Sequence, residues 1–163
     1  MPRTARKKSS ESMYHVMNRS ISEVDLFQAD EDKEYYLSLL ARYTEKFSCS
    51  IYAYCLMDNH VHLYINPNGF DISRFMHCLN SAYVGYFNRK YMRHGHLFQG
   101  RFASNIINTD VYSLSIVAYI HNNPRDIKGY SGREEDYIYS SYGIYIGKRE
   151  DARGIVDKDF ILD

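Results

Sequence analysis

Residues 50–69 read SIYAYCLMDNHVHLYINPNG. Two runs, 50–57 and 60–65, are rich in the aromatic and β-branched residues that suit a pleated surface. Asp58 and Asn59 between them tolerate the positive φ values of a tight turn, and Asn66, Pro67, Asn68 and Gly69 close the unit as a loop. The stretch therefore predicts a β-hairpin. Alternate residues of a strand point to one side, so His60 and His62 project together while Val61, Leu63 and Ile65 project the other way. One face is suited to burial, and the opposite face carries two imidazoles.

Outward from the hairpin, MYHVMNRS (13–20) alternates well enough for a first strand. Asp30 is expected to cap a helix whose acidic first turn suits the positive end of the dipole, and Tyr36, Leu40, Tyr43 and Phe47 recur along it at helical spacing. After the hairpin, Ile72, Phe75, Met76, Leu79, Tyr83, Tyr86 and Phe87 track one side of a long amphipathic helix. RFASNII (101–107) reads as another strand. Thr109 or Asp110 then caps a helix running to about Asn123, where the restriction before Pro124 should end it. The order strand, helix, strand, strand, helix, strand is the ferredoxin-like arrangement, an α+β fold with both helices on one face of an antiparallel sheet. The additional helix is expected on the other face, beside His60 and His62.

At 163 residues, 45% hydrophobic and 15% aromatic, the chain suits one compact domain with a true core. The expected division is a basic leader at 1–12, a single domain at 13–150 and a C-terminal tail at 151–163. No apolar run approaches the roughly 18 residues of a membrane helix, and MPRTARKKSS lacks the apolar segment of a signal peptide, so the expected location is cytoplasmic. Cys49, Cys55 and Cys78 show no CxxC spacing, which argues for packing roles rather than a thiolate zinc site.

The formal net charge is zero, yet from Ile72 to Asn108 there are Arg74, Arg89, Lys90, Arg93 and Arg101 without one Asp or Glu. Segregated charge of this kind fits a nucleic-acid surface, and an ordinary solvated helix face equally well. With Arg19 of the first strand, these five are the candidate DNA contacts. The seventeen tyrosines are read mainly as half-buried packing residues.

In the last long helix, DVYSLSIVAYIHNNP (110–124), Tyr119 and Asn123 are four apart and share a face, whereas His121 points elsewhere. Two strand imidazoles and a helix amide oxygen could supply three ligands to a divalent cation, leaving positions open for phosphate and water. Spacing alone also fits a chance H-x-H, a Tyr119 packed in the core and an Asn123 that only ends its helix. His15 and His96 read as structural or substrate-facing rather than as ligands. GHLFQGRF (95–102) has the glycine spacing of a phosphate-binding loop, but Arg101 and Phe102 stand where Lys and Ser or Thr are required. No nucleotide cofactor is expected.

YHVMNRS, DNHVHLYI, GHLFQGRF, AYIHNNPRD and YIYSSYGIYIG occur in this order from Tyr14 to Gly147. Together they resemble the single-tyrosine HUH transposases, in the branch of REP-associated tyrosine transposases. The resemblance implies a metal-dependent endonuclease and strand transferase acting on single-stranded DNA beside a hairpin. It places Tyr119 as nucleophile, His60, His62 and Asn123 as metal ligands, and Mg²⁺ or Mn²⁺ as the metal. A homodimer is one assembly seen among such proteins. The chain ends soon after YIYSSYGIYIG, so an extra C-terminal DNA-binding module of longer relatives is not expected. Two other readings remain: a hairpin-binding module that does not cut, and a metal hydrolase in which water attacks and Tyr119 only packs.

Overall fold

The computed structural model describes residue 5 and residues 12–163; most of the 1–12 leader lies outside the described residues. The hairpin forms as read, with β2 (Ser50–Leu56) and β3 (His60–Asn66) antiparallel. β1 (Met13–Arg19) pairs antiparallel with β3 on one side and β4 (Ala103–Ile107) on the other, which gives the sheet order β2-β3-β1-β4. With α1 (Asp30–Phe47) and α2 (Ile72–Lys90) joining the strands, this is the expected ferredoxin-like α+β topology.

The two helices pack against each other over one sheet face. Val61, Leu63 and Ile65 are buried there with Phe75, Met76, Leu79, Tyr83 and Phe87 of α2 and Tyr36 and Leu40 of α1. Asn18, opposite Val61 in β1, donates to Asn80 Oδ1 of α2 at 2.8 Å, which fixes the side of the sheet on which α2 lies. α3 (Asp110–Asn122) packs on the reverse face against β2 and β3. Residues 139–141 pair with the outer edge of β2 through Leu56 N–H to Tyr139 and Ser141 N–H to Tyr54, and Val156 bridges to Ile51. Cys55 is buried and Cys49 and Cys78 are half-buried, all as free thiols. Among the described residues no helix is long and apolar enough to cross a membrane.

Four local expectations are corrected. Neither Asp58 nor Asn59 takes a positive φ. Their turn is held from outside, because their carbonyls accept from Phe27 N–H and Ser20 N–H at 3.0 Å each. Asp30 is the first residue of α1 and does not cap it; Asp32 does, accepting from Gln28 N–H at 3.0 Å and Ala29 N–H at 3.1 Å. The last strand starts at Ala103, not Arg101. Thr109 caps α3 by accepting from Tyr112 N–H, but Asn123 keeps a right-handed helical conformation, φ −55° and ψ −38°. The chain passes through Pro124 in a 3-10 turn over Asn123–Asp126, where proline at the second position needs no N–H.

Candidate functional site

Strand periodicity and helix packing together build the site. His62 is 2% exposed and His60 is half-buried, both on the α3 side of β3. Two buried bonds hold α3 there: Tyr64, which shares the face of His62, meets Ser113 Oγ at 2.7 Å, and His121 Nε2 meets Ser141 Oγ at 2.7 Å. Ile116, Val117 and Ile120 fill the seam. The helix thereby turns Tyr119 outward, 54% exposed, with its ring edge-on to His62 at 5.5 Å between centroids. The His60 and His62 rings are 5.0 Å apart and nearly perpendicular. The predicted histidines, tyrosine and asparagine converge on one small region.

Electrostatics keeps both imidazoles neutral at neutral pH. Burial, followed by the charges of His60, His15 and Arg19, pushes His62 down to about 3. Burial and then the Arg19 charge also lower His60, against the opposing effect of a hydrogen bond with Asn123. Asn123 Nδ2 donates back to the carbonyl of Tyr119 at 3.0 Å, which leaves Oδ1 as the acceptor end of the amide toward His60. His60 Nδ1 faces Asn59 Oδ1 at 2.6 Å and must donate to it. A neutral imidazole has a single N–H. When that proton is on Nδ1 toward Asn59, the bond to Asn123 is not made, and His60 Nε2 and Asn123 Oδ1 are both lone-pair donors.

Lone pairs that converge when the His60 proton is directed to Asn59 are donor chemistry suited to a cation. Among the described residues no group of three or more His, Cys, Asp or Glu is placed to hold a metal. A cation here would take two imidazoles and an amide oxygen, a mixed set that fits Mn²⁺ at least as well as Mg²⁺.

Two partners were not singled out by spacing. His15 of β1 places Nε2 3.0 Å from His62 Nδ1, the two rings end-on and nearly coplanar with centroids 5.2 Å apart, and Tyr119 also sits edge-on to His15 at 5.8 Å. The sequence marks Asn59 only as a turn residue. The signal for His15 lay in YHVMNRS, whose alternation puts His15, Met17 and Arg19 on the histidine side, though the strand register is needed to pair them.

The basic residues separate by position. Arg19 is opposite His60, and Gln99 N–H donates to its carbonyl, so the 95–101 loop with Arg101 borders the histidine end of the sheet. Arg89 is exposed near the same end, where α2 finishes. Arg93 is tied to Asn88 Oδ1 and the His96 carbonyl, both at 3.0 Å. Lys90 is paired with Asp32 at 2.7 Å and Glu31 at 3.5 Å. Arg74 is exposed on the first turn of α2, at the opposite end of the sheet, over the Phe70 ring.

The family model described as "Transposase IS200 like" matches residues 8–123. Among solved structures, a REP-associated tyrosine transposase bound to a REP hairpin aligns with a TM-score of 0.73 at 17% identity, over 91% of this chain and 87% of that one. A Deinococcus radiodurans R1 protein provisionally named a transposase aligns with a TM-score of 0.50 at 16% identity, over 74% of this chain and 97% of that one. At such identities these structures share the fold. No curated protein matches.

Proposed function

Since the chain belongs to the IS200-like transposase family, we propose that it cuts and rejoins single-stranded DNA beside a hairpin. Tyr119 is the nucleophile in this reading, and His60, His62 and Asn123 hold a divalent cation, Mg²⁺ or Mn²⁺. The observation that carries it is the exposed Tyr119 ring edge-on to His62 on the sheet face against which α3 packs. The hairpin bound by the structurally similar REP-associated transposase supports the substrate class.

The Tyr119 hydroxyl gives up its proton and its oxygen attacks phosphorus, while the bond from phosphorus to the 3′-oxygen breaks. The departing oxygen takes a proton and becomes a free 3′-hydroxyl, and the 5′-phosphate is left esterified to Tyr119. When bound, the cation would offset negative charge growing on the phosphate oxygens. α3 presents the phenol from a rigid helix, which limits the motion lost on the way to an in-line approach. Arg19, beside His60, supplies positive charge for a phosphate at the same end of the sheet. Because the ester keeps the energy of the broken bond, a second 3′-hydroxyl can reverse the step without a nucleotide cofactor.

The test is incubation with hairpin-bearing single-stranded DNA and Mn²⁺, followed by denaturing electrophoresis. Wild type should give a covalent protein–DNA band, and both Tyr119→Phe and His60→Ala should abolish it. A wild type without the band, or a Tyr119→Phe variant that still forms it, overturns the nucleophile assignment. Strand cleavage that survives Tyr119→Phe but not His60→Ala would point to attack by water instead.

A further inference from the structure

We propose that His15 is a positioning residue that holds His62 in the tautomer with its proton on Nδ1, so that Nε2 presents a lone pair at the site. The inference rests on the cation reading above for its purpose, and on the contact between β1 and β3 for its evidence. His15 pairs with Tyr64 and Met17 with His62 in the strand register, which makes His15 and His62 diagonal neighbours on one sheet face. Their facing nitrogens, His15 Nε2 and His62 Nδ1, are 3.0 Å apart.

Two neutral imidazoles meeting nitrogen to nitrogen must share one proton. If His62 Nδ1–H donates to His15 Nε2, the His62 Nε2 atom keeps its lone pair. If His15 donates instead, the proton of His62 is on Nε2 and that atom is closed to a cation. An acceptor at position 15 therefore decides whether His62 can serve as a ligand. The two rings are nearly coplanar, with 16° between their planes and centroids 5.2 Å apart, the end-on arrangement that an in-plane N–H···N bond requires.

The neighbouring histidine has the same arrangement in simpler form. Asn59 Oδ1 accepts from His60 Nδ1 at 2.6 Å and can do nothing else, which leaves His60 Nε2 with its lone pair. Both histidines of the pair then have an acceptor behind Nδ1. Partners that orient the ring of a ligating histidine in this way are commonly worth about 10–100-fold in metal affinity.

The test compares wild type with His15→Phe, which keeps a ring but has no acceptor, and His15→Gln, whose amide oxygen can accept. Nitrogen NMR of the metal-free protein reports the His62 tautomer, and isothermal titration with Mn²⁺ alone reports affinity. Wild type should show the Nδ1–H form, His15→Phe should bind Mn²⁺ about 10–100-fold more weakly, and His15→Gln should recover most of the loss. A wild-type His62 in the Nε2–H form overturns the proposal, as does a folded His15→Phe with wild-type tautomer and affinity. The wild-type spectrum decides the matter even if His15→Phe does not fold. If wild type binds no Mn²⁺, the cation reading fails, and the spectrum still judges His15 separately.

Discussion

His121 shows what a residue two positions from Tyr119 does when it faces the other way. Its ring is stacked on Tyr142 at 5.2 Å and its Nε2 lies against Ser141 Oγ, so the side chain fastens α3 to the segment along the β2 edge. Burial pushes its pKa down to about 4 from an ordinary value of 6.5. The unfolded chain therefore binds more protons than the native one between those values. The stabilisation is complete above pH 6.5 and is lost as pH falls through about 4, amounting to about 2 kcal/mol by pH 5. Urea unfolding at pH 7.5 and pH 5 should show wild type losing about 2 kcal/mol more than His121→Gln, and parallel losses would contradict a buried neutral ring. That His121 faces away from Tyr119 was legible from helical spacing, but its partner in YIYSSYGIYIG was not, because nothing local connects residues 121 and 141.

At the scale of elements, α1 is held at its start by a carboxylate that is fully buried. Asp32 accepts the two backbone N–H groups of the cap and also meets Lys90, Tyr86 and Tyr91 from the end of α2. Burial alone would raise its pKa, but these donors outweigh it and hold the carboxylate below its usual range. Removing Asp32 leaves several donors without a partner in one place, whereas removing Asp30 loses only a favourable interaction with the helix dipole. Chemical denaturation should show Asp32→Ala costing about 3 kcal/mol and Asp30→Ala less than about 1 kcal/mol. Similar small costs for both would sink the assignment of the cap. An acidic first turn could be read directly from DEDKE, but the carboxylate that caps is chosen by the path of residues 28–29 and by a lysine 58 positions away. Lys90 is accordingly engaged in joining α1 to α2.

Across the whole molecule, a chain of zero formal net charge gathers Arg19, Arg89 and Arg101 at the end of the sheet where His60 stands, while Arg74 is at the far end. If DNA enters at the histidine end, Arg101 displaces counterions from it and Arg74 does not. Binding of the hairpin across a range of salt concentrations should show Arg101→Ala reducing the slope of log K against log salt by about 0.7–0.9, with Arg74→Ala unchanged; equal effects would refute an entry at that end. The sequence by itself determined the order of the four strands and three long helices, the burial of Val61, Leu63 and Ile65 on one side, the common face of His60 and His62, and the shared helix face of Tyr119 and Asn123. These follow from the fixed direction of each side chain along a strand or helix. Only the tertiary structure decided that His15 meets His62, that Asp32 meets Lys90, and that His121 meets Ser141. Local geometry sets which way a side chain points, but what it touches depends on the register of strands and the docking of segments far apart in the chain.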